Sequence, residues 1–374
     1  MRDVIIIKYG ELWLKSESVR RRFITKLSRN IKSMLKRNGM EFTLSPSRDM
    51  MVLAAGPEAI RVLEHVFGIS WFAKAKETEA KEKAIEKASL LLAEKIKPGE
   101  TFAVRASRSD KSLPFTSREL ERKIGAKIER KVDLSNPDFT IFIEVKKEKA
   151  YVYSEKIKGP GGMPYGVSGK VLSLISGGID SPVAGWLMMK RGCSLDFIHF
   201  STGKDGENKV KKLVEILGEY SPAEMNLHIV PFREILEGVM RHAERRMTCV
   251  LCKRLMYRIS ERFAEKRGAK ALVTGENLAQ VASQTLDNLY TNSKSVSIPI
   301  LRPLIGMDKE EIMSLAKRIG TYDVSIEHSK PCSFVPKKPS TASKPEHAEE
   351  EEKKVVNLEE TLREAMRKRR KVVI

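Results

Sequence analysis

Cysteine is scarce in this sequence, with four residues in a chain of 374. So few thiols do not suggest the disulfide framework of a small secreted domain. Long apolar runs are also missing, because no stretch approaches the roughly 20 residues that a membrane-spanning helix needs. The apolar run in the N-terminal MRDVIIIKYGE is too short for a signal peptide. These absences predict a cytoplasmic protein with no membrane segment, whose thiols are available for chemistry or for metal binding.

Acidic residues are outnumbered by basic ones. The chain has 49 Asp and Glu against 69 Lys and Arg, which gives a formal net charge of +20. One explanation is a surface rich in lysine and glutamate, as in many heat-adapted proteins. The other is a polyanionic partner, for which nucleic acid is the obvious candidate. Of the two, we favour nucleic acid.

The order of apolar segments changes at a Gly/Pro-rich linker, KGPGGMPYGVSGK, at residues 158–170. Before it, strands and helices are mixed as in α+β domains, and residues 138–157 alternate like a β-hairpin. After it, strands and helices alternate, which predicts a doubly wound parallel sheet with ligands at the carboxyl ends of its strands. Residues 337–354 are rich in Pro and Ser and then acidic, which predicts a flexible linker. A short helix and a basic tail follow, and Arg367–Lys371 either contact RNA phosphates or are simply solvated.

The turn SGGIDS, at residues 176–181, carries the strongest chemical signal. Its two glycines let the backbone approach a ligand and point successive N–H groups at it. The helix that follows favours an anion at its N-terminus, and the hydroxyls of Ser176 and Ser181 can donate to phosphate oxygens. The pattern of a Walker A loop is absent. The alternative is an ordinary glycine turn capped by Asp180.

This turn resembles the S-G-G-x-D-S pyrophosphate loop (PP-loop) of ATP pyrophosphatases, which adenylate a carbonyl or carboxylate and release pyrophosphate. Further segments, in the right order, resemble the tRNA 4-thiouridine synthetases, or tRNA sulfurtransferases. The resemblance covers residues 1–341, and the chain is most similar to archaeal-type members, which lack a rhodanese domain. These segments are KYGELWLKSESVRRRF at 8–23, TGENLAQVASQTLDNL at 274–289, RPLIGMDKEEI at 302–312 and PCSFVPKKPST at 331–341.

The resemblance implies four parts of the chain. They are an α+β ferredoxin-like domain at 1–57, a THUMP RNA-binding domain at 58–160, an α/β PP-loop catalytic domain of the adenine nucleotide alpha hydrolase type at 166–336, and a linker with a basic C-terminal helix at 337–374. The THUMP domain would bind the acceptor end of tRNA, which suits the basic helix predicted at 117–132.

The resemblance also implies a reaction. ATP, with Mg²⁺, adenylates the 4-oxygen of the uridine at tRNA position 8, and sulfur then displaces AMP. Two alternatives stay open: a PP-loop enzyme that thiolates another tRNA base, and a THUMP protein that binds RNA without catalysis. The intact SGGIDS and TGENLAQVASQ segments and Cys332 argue against the second alternative.

Matching segments assign site residues. Asp180 corresponds to the essential acid of the loop, and Lys309 to a lysine important for activity. Several of these residues could instead have a purely structural role. Residues at strand ends could pack in the core, the histidine could be a hydrogen-bonded strand-end residue, and Gln284 could cap a loop. Lys309 could mark a helix start with Asp308 as N-cap. The nucleotide-binding candidates are Leu174, Ile175, Ser176, Gly177, Gly178, Ser181, His199, Phe200, Lys253, Gly275 and Gln284.

The cysteines are assigned to sulfur chemistry. Cys332 lies in an irregular Pro-rich segment and matches the family's sulfur-handling cysteine. The motif Cys249-Val-Leu-Cys252 is a weak signal alone, but archaeal-type relatives use such a pair with the downstream cysteine to hold an iron–sulfur cluster. We therefore assign Cys249, Cys252 and Cys332 as cluster ligands; the rival is a persulfide on Cys332 that a thiol of the pair resolves. Cys193 is expected to be buried as a small hydrophobe.

The sequence leaves several partners undecided. The sulfur donor is sulfide or a cysteine desulfurase, and a homodimer is neither required nor excluded. Some relatives also serve thiamine thiazole synthesis, and no motif decides whether this chain does.

Overall fold

The β-branched run near the start of the chain forms a strand in the middle of the first sheet. Strand β1 (Arg2–Tyr9) pairs antiparallel with both β3 and the long strand β4, and Ile6 and Ile7 are fully buried. This computed structural model describes residues 1–10, 16–328 and 332–374. Within them the chain divides into two units, Met1–Gly162 and Met163–Ile374.

The first unit is a single mixed sheet with helices. The strand order is β2-β3-β1-β4-β7-β6-β5, with the short β8 also paired to β4. The 11-residue β4 was not predicted, and it pairs with β1 on one side and with β7 on the other. The elements are β1, α1 (Glu17–Arg37), β2 (Phe42–Pro46), β3 (Met51–Ala55), α2 (Ala59–Leu63), β4 (Ile69–Glu79), α3 (Glu82–Ala93), β5 (Phe102–Arg108), α4 (Ser117–Gly125), β6 (Phe139–Val145), β7 (Lys149–Tyr153) and β8 (Ile157–Lys158).

Two local predictions have different outcomes in this unit. The hairpin predicted at 138–157 is confirmed as β6 and β7, with Val145 opposite Ala150. The basic helix predicted at 117–132 begins as expected, at a capping box formed by Thr116 and Glu119, but its α-helical part ends at Gly125. The helix stops there because glycine has a low helix propensity.

The second unit contains the predicted parallel sheet. Its strand order is β13-β12-β9-β10-β11-β14, and the pairs among the first five strands are all parallel. The elements are β9 (Lys170–Leu174), α5 (Asp180–Lys190), β10 (Ser194–Ser201), α6 (Lys204–Gly218), β11 (Asn226–Pro231), α7 (Arg233–His242), α8 (Thr248–Arg267), β12 (Leu272–Val273), α9 (Leu286–Ser293), β13 (Ile300–Leu301), α10 (Lys309–Arg318), α11 (Tyr322–Ile326), α12 (Pro345–Lys353), α13 (Leu358–Arg367) and β14 (Arg370–Val373).

The topology places the switch point beside β9. From β9 the chain adds β10 and β11 on one side, and later β12 and β13 on the other. Loops that leave neighbouring strands in opposite directions open a crevice at the carboxyl end of the sheet. The crevice therefore lies between the ends of β9 and β12, where SGGIDS and TGENLAQ begin.

The C-terminal segment is not the flexible linker that its composition predicted. Residues 345–353 form helix α12, and α13 and β14 follow, with β14 pairing antiparallel with β11 at the edge of the sheet. The predicted basic tail is therefore partly an edge strand. The acidic run is ordered because its glutamates pair with an arginine of α8.

Three arginines spaced four residues apart on α8 hold this segment; we call Arg254, Arg258 and Arg262 the arginine stripe. The Arg254 side chain is 2% exposed, and its Nε lies 2.5 Å from Glu352 Oε1 while Nη1 donates to a backbone carbonyl. Arg258 contacts the other oxygen of Glu352 at 2.9 Å, and Arg262 contacts Glu359 at 2.7 Å. Residues at i and i+4 lie on one helix face, so the stripe pairs with α12 and α13 together.

A buried asparagine holds the segment before α12. The Asn288 side-chain amide donates to the Ser340 carbonyl at 2.8 Å, and its oxygen accepts from the Ser343 hydroxyl at 2.6 Å. Thr291 donates to the Ser343 carbonyl at 2.7 Å. Segment 340–343 is thereby attached to α9 through its backbone.

We predict that Arg254→Ala lowers the free energy of unfolding of the second unit by about 3 kcal/mol or more, because it leaves the carboxylate of Glu352 with less compensation in a buried site. The measurement is urea unfolding monitored by circular dichroism. Lys368→Ala is the matched control, since it removes an exposed i,i+4 pair with Glu364 that contributes less than about 1 kcal/mol. Equal losses in the two variants would contradict a structural role for the stripe.

Candidate active site

The SGGIDS turn is closed by its own serines. The Ser181 hydroxyl accepts from the Ser176 backbone N–H at 2.9 Å and donates to the Ser176 carbonyl at 3.2 Å. The two hydroxyls lie 3.1 Å apart. Ser181 is therefore engaged within the turn, where it fixes the path of the backbone between β9 and α5.

Glycine is required at one point where another loop crosses this turn. A Cβ built on Gly275 would lie 2.6 Å from the Ser181 nitrogen and 2.8 Å from the Asp180 carbonyl carbon. The loop after β12 can therefore pass the start of α5 only without a side chain at position 275. This contact brings the first and second predicted nucleotide segments together.

The loop acid and the activity-linked lysine, which the sequence assigned separately, are in contact. Lys309 Nζ lies 2.7 Å from one oxygen of Asp180, and the Gln280 amide donates to the other oxygen at 3.1 Å. Lys309 is the first residue of α10, whose capping box between Asp308 and Glu311 is present as predicted. The cap and the lysine are thus compatible roles of one helix start.

Gln280 was missed by the sequence interpretation. It lies within TGENLAQVASQ, directly after Ala279, whose φ of 61° is in the left-handed region. A non-glycine residue held in that region is often part of a functional site. Its long-range partner could not be deduced from a single sequence.

Most predicted nucleotide contacts line one pocket at the carboxyl end of the sheet. Gly177 and Lys309 are not among the lining residues, and neither are the cysteines. Met256 and Thr274 line it without having been predicted. The predicted residues in the lining are Leu174, Ile175, Ser176, Gly178, Asp180, Ser181, His199, Phe200, Lys253, Gly275 and Gln284.

His199 is held as a neutral imidazole at the end of β10. The structure assigns its Nδ1–H as donor to the Ile175 carbonyl at 3.0 Å. Burial lowers the pKa of His199, although that hydrogen bond and the Glu207 carboxylate act in the opposite direction. The other ring nitrogen, Nε2, is therefore an acceptor near neutral pH.

Lys253 is positioned by a buried carboxylate. Glu276, with a fully buried side chain, lies 3.8 Å from Lys253 Nζ and 2.8 Å from Arg302 Nε. Burial alone would raise the pKa of Glu276, but the two cations hold it below its usual value. Glu276 and Arg302 belong to quoted family segments, yet neither was assigned a role from the sequence.

The paired cysteines lie on the same helix as Lys253. Cys249 and Cys252 are in the first turns of α8, and positions 249, 252, 253 and 256 share one helix face. Met256 and Lys253 of that face line the nucleotide pocket. The helix therefore carries thiols and nucleotide-binding candidates side by side.

Cys332 lies close enough to the pair to influence it electrostatically. Burial raises the pKa of Cys252 to about 12, with Cys249 and Cys332 adding to the effect. Burial also raises the pKa of Cys249, again with a contribution from Cys332, which is itself exposed. Cys193 is buried away from this group, as predicted.

The three sulfur atoms are not closed around a single metal ion. Within residues 1–10, 16–328 and 332–374, the one group of three ligand atoms within 4.8 Å of one another is Glu244, His347 and Glu351.

Parts of two family-like segments lie outside the described residues, namely 11–15 in the first segment and 329–331 around the start of the last. Among the helices of residues 1–10, 16–328 and 332–374, none combines the length and the apolar composition of a membrane span.

Three models of known families and domains match the chain. The model of the thiamine biosynthesis protein (ThiI) family matches residues 166–357, the THUMP domain model matches 79–155, and the ThiI ferredoxin-like domain model matches 4–73. A "Probable tRNA sulfurtransferase" of Methanothermobacter thermautotrophicus is 44% identical over 386 residues, covering 98% of this chain and 97% of the relative. One of Caldanaerobacter subterraneus is 41% identical over 368 residues, covering 95% and 96%.

Solved structures agree with these relatives. A 4-thiouridine synthetase crystallised with RNA and bound ATP is 34% identical, with a TM-score of 0.92 and 100% of both chains covered. PH1313 from Pyrococcus horikoshii is 27% identical, with a TM-score of 0.66, covering 85% of this chain and all of the other. The chain therefore belongs to the ThiI family of tRNA sulfurtransferases.

Proposed function

We propose that this chain is an ATP-dependent tRNA sulfurtransferase that makes 4-thiouridine at tRNA position 8. The 44% identical relative is named a tRNA sulfurtransferase, and the full-length structural match is a 4-thiouridine synthetase with RNA and ATP. The observation that carries the proposal is the single pocket that joins the SGGIDS turn, Lys253 and the loop after β12.

The first step is adenylation. The uridine 4-oxygen attacks the α-phosphorus of ATP, and the bond from that phosphorus to the α,β-bridging oxygen breaks to release pyrophosphate. The proton of uridine N3 is lost to solvent in this step. The negative charge that develops on the phosphates is stabilised by backbone N–H groups of the turn and by the N-terminus of α5. Lys253, held by Glu276, adds a cation on the other side of the pocket.

Asp180 is the residue that would hold Mg²⁺. Magnesium in nucleotide sites is bound through one or two carboxylates together with substrate phosphates. Asp180 fits, because its carboxylate lines the pocket and is oriented by Lys309 and Gln280. Magnesium would neutralise phosphate charge, while Lys309 keeps the carboxylate in place.

The second step replaces AMP with sulfur. A sulfur nucleophile attacks C4 of the adenylated uridine, the C4–O bond breaks, and AMP leaves with that oxygen. With hydrosulfide as nucleophile the step needs no external electrons, whereas a persulfide on Cys332 needs a thiol of the pair to complete the transfer and a later reductant to reset the disulfide.

The residues fit a cluster with three thiolate ligands. Burial and neighbouring thiols raise the pKa of Cys249 and of Cys252, so their thiolates require a compensating cation. These three cysteines would hold an iron–sulfur cluster that leaves one iron open to a sulfur ligand. Sulfide can serve as the sulfur source directly, whereas the sulfane sulfur of a cysteine desulfurase needs two electrons from a thiol reductant to become hydrosulfide.

We predict that Asp180→Ala lowers the rate of tRNA adenylation by about 10²-fold or more. The variant lacks the carboxylate that would hold Mg²⁺ against the nucleotide phosphates. The measurement is tRNA-dependent release of pyrophosphate, with tRNA affinity measured in parallel. Asp323→Ala, in α11, is the control and keeps both quantities. An equal fall in tRNA affinity for Asp180→Ala would contradict a role confined to the nucleotide.

We predict that anaerobic purification yields iron and acid-labile sulfide, and that Ser substitution of Cys249, Cys252 or Cys332 removes most of both. Cys193→Ser retains them, because that thiol lies elsewhere. A colourless, iron-free wild-type protein that still thiolates tRNA would refute the cluster and favour the persulfide.

We predict that Arg118→Ala with Arg122→Ala weakens tRNA binding more than Lys123→Ala with Lys127→Ala. All four cations are exposed, but the lysines already pair with Glu82 and Glu86 at 2.7 and 2.6 Å. In the part of the chain that the structure describes, the two arginines have no carboxylate partner. Electrophoretic mobility shift measures the affinities, and equal losses would contradict α4 as a phosphate-binding helix.

A further inference from the structure

Helix α13 and the residues directly after it form a cationic cavity with α8 in the second unit. Its volume is about 370 Å³. Five of its six lining residues carry a positive charge, and none of the lining residues found in the described chain is acidic. They are Arg262, Lys266, Arg363, Met366, Arg367 and Arg369.

The charge of this cavity is only partly compensated. Arg262 pairs with Glu359, and Arg363 and Arg367 share Glu360. Lys266 and Arg369 have no carboxylate partner anywhere in residues 1–10, 16–328 and 332–374. Five cations thus share two carboxylates.

The positions of these five cations are not all explained by helix-end electrostatics. Cations in the last turn of a helix interact favourably with its dipole, which accounts for Lys266 on α8 and Arg367 on α13. It does not account for Arg369, which lies beyond α13 and is fixed by a hydrogen bond to the Met366 carbonyl at 2.9 Å and by the Phe263 ring at 5.3 Å. Its guanidinium is therefore oriented before any ligand arrives.

We propose that this cavity binds the phosphodiester backbone of RNA. This inference rests on the proposed function, which supplies a tRNA as the partner. Forked guanidinium groups match phosphate oxygens, and several cations at one place suit consecutive phosphates of a strand. Base recognition is not favoured, because the described lining contains no aromatic ring and Met366 is 8% exposed. The site lies wholly within the second unit.

The test is the salt dependence of tRNA binding by the full-length chain. Each phosphate contact that is removed lowers the slope of log K against log salt by about 1. Lys266→Ala with Arg369→Ala should therefore lower the slope by about 2, measured by fluorescence anisotropy with a whole tRNA transcript. Lys317→Ala with Lys344→Ala removes two exposed cations outside the cavity and should leave the slope as in the wild type.

A second variant guards against loss of folding. Lys266→Glu changes an exposed side chain without an ion-pair partner among the described residues, and it should lower the slope by at least about 1 with an unchanged melting temperature. An unchanged slope in both cavity variants would overturn the inference and leave the proposed function standing. Failure of the wild type to bind tRNA at all would instead refute the proposed function.

Inorganic phosphate separates RNA from a small anion. If phosphate raises the melting temperature of the wild type but not of the double variant, while the tRNA slopes agree, the cavity is a small-anion site and the inference is wrong. If the slope falls as expected, the saturating rate of tRNA thiolation should stay at the wild-type value, because the nucleotide pocket is untouched.

Discussion

A buried guanidinium requires an anion nearby, and the guanidinium of Arg254 is buried inside the second unit. Removing its charge from water costs several kcal/mol unless hydrogen bonds and a countercharge replace the solvent. Glu352 meets the requirement, and it comes from a segment almost 100 residues further along the chain. Once α12 is fixed in this way, α13 and β14 follow at the edge of the sheet. The order of the C-terminal segment, the edge of the sheet and the cationic cavity all depend on this ion pair.

Most of the fold could be predicted from the sequence, because local patterns of apolar residues indicate most of its strands and helices. Apolar strands alternate with amphipathic helices after residue 170, and short-range alternation identifies the hairpin at 138–157. The prediction of a flexible linker at residues 337–354 was wrong for a physical reason. A run of glutamates alone predicts a solvated, flexible segment. Ion pairs with the arginine stripe on α8 stabilise it as a helix instead. The four-residue spacing of that stripe was visible, but its partner was not.

The candidate site shows the same division. Glycines, the loop acid and the strand-end residues could be assigned because the resemblance fixes their position in motifs, and the structure brings most of them to one pocket. Gln280, Glu276 and Arg302 were missed because their roles consist of contacts between segments. Glu276 is informative: a buried carboxylate between two cations orients Lys253 without itself lining the pocket. Such supporting residues have no signature in one sequence.

The antiparallel pairing of β14 with β11 also bears on how the second unit is made. Met225 and Ile374 exchange backbone hydrogen bonds, so the edge of the sheet is completed by residues far away in sequence. During synthesis on the ribosome, the strand that emerges at residues 226–231 must wait with one edge unpaired until residues 370–373 appear. Exposed strand edges of this kind invite pairing with other chains. The nascent second unit therefore exposes an unpaired strand edge until its last residues are made, whereas every strand of the first sheet is already made by residue 162.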